Sequence, residues 1–316
     1  MNKNPICDLF NIKYPIVQGG MIWCAGWELA SAVSNNGGLG ILGAGSMYPE
    51  ILKEQIKKCK EATDKPYAVN LPLLYPNIED HIETIIQEQV PIVFTSAGSP
   101  KKWTAHLQAH GIKVVHVVSN LKFALKSQEA GVDAIVAEGF EAGGHNGREE
   151  TTTLCLIPMI VKAVKIPVIA AGGIGSGQAI YAALSLGADA VQIGSLFAAS
   201  KESSAHINFK HAIVDAKDGD TKLMLKELTP VRLLKNDFYN EIEEAYINKA
   251  TKEELAELLG RGRAKKGMFE GQMKEGELEI GQISASINSI NSVSEIFENL
   301  IKTFNLAKDN MNQYTF

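Results

Sequence analysis

The chain has 316 residues, 45% of them hydrophobic and 21% charged, and its formal net charge at pH 7 is −5. So large an apolar fraction excludes an intrinsically disordered chain, and the acidic balance disfavours a protein that binds nucleic acid through its phosphates. The length admits one large domain or a barrel with an accessory piece, since α/β barrels reach about 250 residues as a single unit.

Eight short apolar runs occupy the first two-thirds of the chain, and each ends in a glycine-rich or polar turn. The runs are uninterrupted rather than alternating, which is typical of parallel strands covered on both faces. We therefore predict eight parallel strands. They lie within residues 15–20, 38–46, 67–74, 91–99, 114–119, 134–144, 167–175 and 190–198.

The segments between these runs predict helices. Ile78, Ile82, Ile85 and Ile86 follow the spacing i, i+4, i+7 and i+8, which gives one apolar stripe. Residues 178–187 are rich in alanine and end in a glycine stop. Eight strand–helix units predict an α/β fold of the (β/α)8 TIM barrel type, because an open doubly wound sheet normally needs only about five or six units.

The strand–helix alternation ends near residue 205. Residues 206–279 carry mixed-charge helical patterns and no strand run, so they predict a small helical subdomain that covers the barrel mouth. From residue 281 onwards, apolar residues recur at helical spacing, and we expect this tail to pack back as the closing barrel helix. The barrel is thus expected to comprise residues 1–205 plus about 280–316.

Many of the 28 glycines lie at the carboxyl ends of the predicted strands, where the active site of such a barrel lies. Any single barrel turn needs glycine anyway, but glycine also lets a backbone approach a ligand closely. After the seventh predicted strand, Gly172 and Gly173 precede a helix whose N-terminus favours an anion. After the eighth, Gly194 and Ser195 offer an amide and a hydroxyl. These two turns predict a phosphate-bearing ligand.

His145 follows the sixth predicted strand in the glycine-flanked sequence EAGGHNG, which places it on a turn at the barrel mouth. A neutral imidazole, with an ordinary pKa of about 6.5, can take or give a proton near physiological pH. The alternative is an exposed loop histidine. His106 and His110 stand four residues apart on a predicted helix, but a third ligand and an H-E-x-x-H pattern are missing, so we expect an outward helix face rather than a metal site.

The N-terminal sequence contains no apolar core typical of a secretory signal, and no stretch approaches the ~20 apolar residues of a membrane-spanning helix. Four scattered cysteines without C-x-x-C spacing predict a reduced, cytoplasmic protein whose thiols are buried and structural. The basic cluster RGRAKK at 261–266 is typical of a solvated charged face, and it is also a candidate contact for an acidic partner.

Several segments together resemble a known family: QGGM, VNLPLL, AEGFEAGGHNG, IPVIAAGGI, QIGSLF and KESSAHINFK. They resemble the FMN-dependent type II enoyl-acyl-carrier-protein reductases and their siblings, the nitronate monooxygenases (2-nitropropane dioxygenase-like). The similarity spans roughly residues 10–215 and, more weakly, 281–287. The resemblance implies FMN as cofactor, NADH or NADPH as co-substrate, and a carrier-protein-bound or CoA-bound enoyl thioester as substrate. It also implies a homodimer that serves fatty acid biosynthesis.

The resemblance further implies roles for individual positions. His145 corresponds to the catalytic histidine of the family, and Asn70 and Glu138 correspond to flavin contacts. Gly20 and Met21 correspond to the turn that lies against the isoalloxazine ring. The ribityl and phosphate portions fall to Gly143, Gly173, Gln192, Gly194 and Ser195, together with Gly172 of the predicted phosphate turn. Family members usually carry threonine where Ser195 stands, and serine keeps the hydroxyl.

Both siblings use FMN and the same histidine, so the choice between them depends on smaller features. Nitronate monooxygenases often carry arginine directly after the histidine, where this chain has Asn146. The KESSAHINFK segment also looks closer to the reductase. We therefore expect an NADH-dependent enoyl-acyl-carrier-protein reductase. A nitronate monooxygenase that oxidises alkyl nitronates with O2 is the first alternative, and a non-redox phosphate-binding barrel is the second.

Overall fold

The computed structural model describes residues 4–75 and 78–314, in which strands and helices alternate. The strands are β1 (Ile16–Gln18), β2 (Gly40–Gly43), β3 (Tyr67–Pro72), β4 (Ile92–Ser96), β5 (Lys113–Val118), β6 (Ala134–Glu138), β7 (Gly144–His145), β8 (Val168–Ala171), β9 (Ala190–Ile193), β10 (Thr221–Met224) and β11 (Val231–Leu234). The α-helices are α1 (Pro5–Phe10), α2 (Trp27–Asn35), α3 (Pro49–Ala62), α4 (Ile78–Gln87), α5 (Thr104–Ala109), α6 (Leu121–Glu129), α7 (Thr153–Ala163), α8 (Gly177–Ser185), α9 (Ser195–Ala198), α10 (Ile207–Asp215), α11 (Asp237–Ile247), α12 (Lys252–Leu259) and α13 (Val293–Met311). Short 3-10 segments lie at Ala44–Ser46, Pro100–Lys102 and Gln282–Ser286, and a π-helical turn spans Lys265–Phe269.

Eight parallel strands form the predicted barrel. Their hydrogen-bonded order is β1-β9-β8-β6-β5-β4-β3-β2. A parallel bridge between Val17 and Leu39 joins β1 to the residue before β2, which closes the sheet on itself. Each strand lies in one of the eight predicted runs, apart from a one-residue extension at the start of β5. The (β/α)8 architecture is therefore confirmed.

The barrel is packed on both sides of its sheet. Side chains such as Val17, Ile41 and Ile169 fill its interior, whereas alternate residues pack against the surrounding helices. Helix α1 closes one end, because the Phe10 ring lies 6.0 Å from the Phe94 ring inside the barrel and the Asn4 side chain donates to the carbonyl just before β9. With its amino end closed in this way, the barrel opens at the carboxyl ends of its strands.

Helix α13 completes the outer layer. It packs between α8 and α2, which is the position that a helix following β9 would occupy. Ser292 caps this helix in a capping box with Glu295. The contact with α8 is very close, because a Cβ on Gly177 would stand 2.0 Å from the backbone nitrogen of Phe304.

This contact predicts the effect of Gly177→Ala. The added methyl would clash with backbone atoms of α13 rather than with a flexible side chain. Helices α8 and α13 must therefore move apart, which should lower the free energy of unfolding by about 1–3 kcal/mol. Urea titration followed by circular dichroism measures the loss. Ser185→Ala is the control, since its hydroxyl bonds only to its own helix; equal stability of the two variants would contradict the close packing.

The region 206–279 differs from its prediction. It contains the helices α10, α11 and α12, but it also contains β10 and β11, which pair antiparallel, so the predicted absence of strands is wrong. A third short strand, β7, pairs with β11. These strands have only two to four residues and include charged side chains, so local apolar periodicity does not reveal them. The assignment of 206–279 to a separate domain stays a prediction.

The four cysteines are free, and two of them are buried. Burial raises the pKa of the Cys24 thiol and of the Cys59 thiol to about 12, so both are protonated at neutral pH. Cys155 is exposed, contrary to the expectation of buried thiols. Within the part of the chain that the structure describes, no helix is both long and apolar enough to cross a bilayer.

Candidate functional site

A cavity of about 1140 Å³ opens at the carboxyl ends of the barrel strands. Ligand cavities in proteins typically measure about 300–1,000 Å³, so this one accommodates a large cofactor together with a second molecule. The cavity brings together the predicted catalytic residue and all the predicted cofactor-binding residues. They are Gly20, Met21, Asn70, Glu138, Gly143, His145, Gly172, Gly173, Gln192, Gly194 and Ser195.

The turns after β8 and β9 present free backbone donors at the cavity. The amides of Gly173, Ile174 and Gly194 donate to no acceptor within residues 4–75 and 78–314. The Ser195 hydroxyl accepts a hydrogen bond of 3.0 Å from the amide of Gly281, which ties the C-terminal segment to this turn. Residues 167–188 contain no acidic side chain. Clustered free amides favour an anionic ligand.

The glycines that line the cavity are required for different structural reasons. A Cβ on Gly172, where φ is +96°, would stand 2.8 Å from the carbonyl oxygen of Gly139, and a Cβ on Gly20 would overlap the Asn70 side chain at 2.2 Å. The fold itself requires glycine at these two positions. At Gly194 the only neighbour among the described residues within 4 Å of a Cβ would be a methionine sulfur, at 3.6 Å, so this backbone is open to the cavity.

Polar side chains from three different strands face the cavity. The Asn70 amide, on β3, donates to the carbonyl of Phe94 at 3.3 Å. Glu138, at the end of β6, and Gln192, on β9, have no hydrogen-bond partner among the described residues, although both line the cavity. Burial raises the pKa of Glu138 to about 7, so a good part of this carboxyl is protonated at neutral pH. Glu138 and Gln192 are therefore available to a ligand.

His145 occupies a more defined position than the predicted turn. It belongs to β7 and lies opposite Val231 of β11, and the neighbouring Asn146 amide donates to the carbonyl of Pro230 at 2.9 Å. The side chain is accessible from the cavity. The surrounding protein desolvates the imidazolium and thereby lowers the pKa of His145, while the nearby Glu277 carboxyl opposes that effect.

Arg232 holds the loop in front of His145. Its guanidinium is buried, stacks at 4.4 Å over the ring of Phe140, and donates through Nε and Nη2 to the Phe140 carbonyl. The backbone of Arg232 lies opposite Gly144 in the small sheet, and its side chain bonds to Phe140. Arg232 therefore holds both ends of the loop between Phe140 and Gly144, which leads to His145. Nothing in the sequence pattern marked this arginine.

Two further cavity residues and one buried neighbour were also missed. His116 is buried in β5, bonds through Nδ1 to the Thr95 hydroxyl at 2.7 Å, and has its pKa lowered to about 4 by burial. A single polar residue in the apolar run VVHVVS was the available signal. Glu279 lines the cavity, and Glu277 is buried beside it. Their segment, GELEIG, lies in a stretch of mixed charge, where no pattern distinguishes them.

The other features of interest lie on the surface. The rings of His106 and His110 meet edge to face, with their centroids 5.1 Å apart, at the exposed end of α5. In the basic cluster, Arg263 donates to the carbonyls of three nearby residues, and Lys265 pairs with Glu270 at 3.3 Å. Arg263 is therefore a structural link rather than part of a free basic face.

The model of the nitronate monooxygenase family matches residues 3–85 and 77–303. A probable nitronate monooxygenase from Staphylococcus saprophyticus is 32% identical and aligns with 95% of this chain and 97% of its own. FabK from Thermotoga maritima superposes with a TM-score of 0.94 and 38% identity over 100% of both chains. A nitroalkane oxidase from Streptomyces ansochromogenes superposes with a TM-score of 0.83 and 27% identity, over 97% of this chain and 99% of that one.

Proposed function

The chain belongs to the nitronate monooxygenase family of flavin oxidoreductases, and we propose that within this family it reduces trans-2-enoyl thioesters with NADH or NADPH through FMN. The observation that carries the proposal is the likeness to FabK over the full length of both chains, at 38% identity against 32% and 27% for the two relatives named for nitronate or nitroalkane chemistry. FabK is the name of the type II enoyl-acyl-carrier-protein reductase that the sequence motifs resemble.

The residues present fit FMN. A phosphate would meet the free amides of Gly173, Ile174 and Gly194, and the Gly194 backbone leaves room for it. The polar edges of a flavin ring would meet Glu138 and Gln192, whose side chains have no protein partner in the described residues. Both side chains are half-buried at the cavity, so a polar ligand would supply the hydrogen-bond partners that they lack there.

Bound FMN would supply hydride transfer from NAD(P)H to the β-carbon of the enoyl thioester. The α-carbon then needs a proton, and His145 is the side chain that we assign to this step, since it faces the cavity and its backbone is fixed by β11. A positioned general acid contributes about 10²–10⁴ in rate. His116 has a pKa of about 4 and stays neutral, so its role is to hold Thr95 and the cavity wall.

The second candidate is a nitronate monooxygenase, which the family model and the Staphylococcus relative favour. One property of the site suits it. The lowered pKa of His145 leaves the imidazole largely neutral at pH 7, and a neutral imidazole can remove the proton from the carbon beside a nitro group. The same residues would hold FMN in both reactions, so the substrate distinguishes them.

Anaerobic stopped-flow spectroscopy of the purified protein tests the proposal. We expect NADH to bleach the flavin absorbance and crotonyl-CoA to restore it. Flavin that is not reduced by NADH but is bleached by an alkyl nitronate would instead establish the monooxygenase. A purified protein without flavin absorbance that also fails to take up added FMN would overturn both readings and favour a non-redox phosphate-binding barrel.

The proposal includes a cytoplasmic homodimer that accepts carrier-protein-bound or CoA-bound substrate. Arg261 and Lys266 are exposed and have no ion pair among the described residues, and Met268 close by lines the cavity. These two cations are the candidate contacts for the acidic carrier protein. Light scattering of the purified protein measures the oligomeric state, and a monomer would remove the dimer from the proposal.

A further inference from the structure

The cavity extends past the residues assigned to the flavin into a groove in the outer layer of the barrel. The turn at 97–101, which follows β4, forms one wall of this outer groove, and helix α6, which follows β5, forms the other. Phe123, Lys126, Ser127 and Ala130 line the second wall, and their spacing places them on one helix face. From Phe123 to Ala130 this face is about 10 Å long. The groove therefore has room for a molecule that projects outward from the barrel mouth.

The turn at 97–101 presents backbone donors to the outer groove. The amides of Ala97, Gly98 and Ser99 donate to no acceptor in the described part of the chain, and all three residues are exposed at the groove. Ala97 has a left-handed backbone, with φ at +50°. Successive free amides in such a turn form a concave site that favours an anion. This turn follows β4, so it is separate from the amides assigned to FMN, which follow β8 and β9.

The two cations of the outer groove are not neutralised by the protein. Lys101 and Lys126 are exposed, line the groove, and form no ion pair within residues 4–75 and 78–314. Lys102, the next residue after Lys101, pairs instead with Glu79 at 2.9 Å and does not line the groove. In a chain with a net charge of −5, two unpaired lysines beside free amides make a local cationic site. Such a site attracts phosphate groups.

The α6 wall adds an aromatic ring and a carboxylate. Phe123 is 46% exposed although it is a large apolar side chain, and it lines the groove. An exposed aromatic face is a stacking platform for a nucleobase. Glu129 also lines the groove, one turn beyond Lys126, and it is exposed. A carboxylate at such a place can accept hydrogen bonds from sugar hydroxyls. An anion site, a stacking ring and a carboxylate in sequence match the parts of a nucleoside diphosphate.

We propose that the outer groove binds the adenosine diphosphate moiety that NAD(P)H and CoA share. The inference rests on the proposed reductase function, whose two substrates both carry this moiety. The pyrophosphate meets the turn at 97–101 together with Lys101 and Lys126, the adenine lies on Phe123, and the ribose approaches Glu129. Because the groove opens into the cavity, a substrate held there extends its reactive end toward the flavin and His145.

The first test measures the binding of ADP itself to the oxidised holoenzyme by isothermal titration calorimetry. We expect the double variant Lys101→Gln with Lys126→Gln to bind ADP about tenfold more weakly, because charge-assisted hydrogen bonds to the pyrophosphate are lost. The matched control is Lys102→Gln with Lys122→Gln, which removes two positive charges from exposed residues outside the groove. Equal affinities in the two double variants, or no binding of ADP by the wild type at millimolar concentration, would overturn the proposal.

A second measurement separates a nucleotide site from a simple anion site. Phe123→Ala removes the stacking ring, and we expect it to weaken the binding of ADP by about tenfold. The same variant should bind inorganic pyrophosphate as the wild type does, because the lysines and the turn at 97–101 are retained. An unchanged affinity for ADP would show that the adenine does not lie on this ring and would count against the proposal.

Steady-state kinetics with truncated substrates show which source of the moiety uses the groove. If NADH uses it, the double lysine variant should raise the KM for NADH about tenfold, but not the KM for a 1-alkyl dihydronicotinamide, which has no phosphate. If the CoA thioester uses it, the KM for crotonyl-CoA should rise and that for crotonyl-N-acetylcysteamine should not. Wild-type KM values for both NADH and crotonyl-CoA would overturn the proposal.

Failure of the reductase function gives a different pattern of results. In that case the wild-type flavin is not reoxidised by crotonyl-CoA, while the calorimetry, which needs no turnover, still shows whether ADP binds through Lys101 and Lys126. An active reductase whose affinity for ADP is the same with and without these lysines would instead retain the proposed function and lose the outer groove as a binding site.

Discussion

Replacement of His145 by alanine is expected to slow the reduction of crotonyl-CoA by about 10²–10⁴-fold, the usual contribution of a positioned general acid. The imidazole is accessible from the cavity, and the backbone of β7 pairs with β11 whatever the side chain is. The variant should therefore fold, bind flavin and accept hydride from NADH at a normal rate. Stopped-flow measurement of both half-reactions separates these steps.

His110→Ala is the matched control for this experiment, because His110 is exposed at the end of α5 and lies outside the cavity residues. It should change neither half-reaction. Near-normal reduction of crotonyl-CoA by the His145 variant would remove this residue from the chemistry. If the protein is a nitronate monooxygenase, His145 is also required for the chemistry. In that case the rate that should fall in the alanine variant is the reduction of the flavin by a nitroalkane.

Replacement of Gly194 by valine is expected to weaken FMN binding by about 100-fold or more, so that the protein purifies without colour. A Cβ at this position meets only a methionine sulfur at 3.6 Å, and the rest of the new side chain extends into the cavity beside the free amides of the phosphate turns. Because φ at Gly194 is −100°, valine introduces no left-handed backbone strain. Fluorescence titration of the apoprotein with FMN measures the loss.

Ser195→Thr is the matched control, since it adds a methyl at the next residue and keeps the hydroxyl that accepts from the Gly281 amide. It should bind FMN as the wild type does. Thermal unfolding of the apoproteins shows whether the two variants fold equally well. Tight FMN binding by Gly194→Val would show that the phosphate does not lie against the turns after β8 and β9.

The barrel could be predicted because of the way parallel strands are buried. Strands covered on both faces are predominantly apolar, so β2 and β8 appear in the sequence as continuous runs that need no long-range information. The strands β10 and β11 could not be predicted in this way. They are four residues long, and Lys222 and Arg232 interrupt them. Their sheet depends on pairing with β7, far away in the sequence.

The candidate site likewise contains residues that the sequence could place and residues that it could not. The carboxyl ends of barrel strands meet at one mouth in any barrel of this type, so the positions of Gly194, Glu138 and His145 along the chain were enough to place them together. Their roles toward FMN and substrate stay predictions. The clustering of glycines is only indirect evidence for a ligand site, because Gly20 and Gly172 are required by the close approach of other parts of the chain.

The sequence by itself determined the barrel, its open end and the residues that gather there, because hydrophobic periodicity and strand–turn order are local properties of the chain. Only the tertiary structure decided what surrounds His145. Glu279 belongs to a segment that carries no motif, and it lies against Gly144 because β11 pairs with both segments along one edge. The electrostatic environment of a group depends on neighbours in space, and those neighbours come from parts of the chain that no local pattern connects.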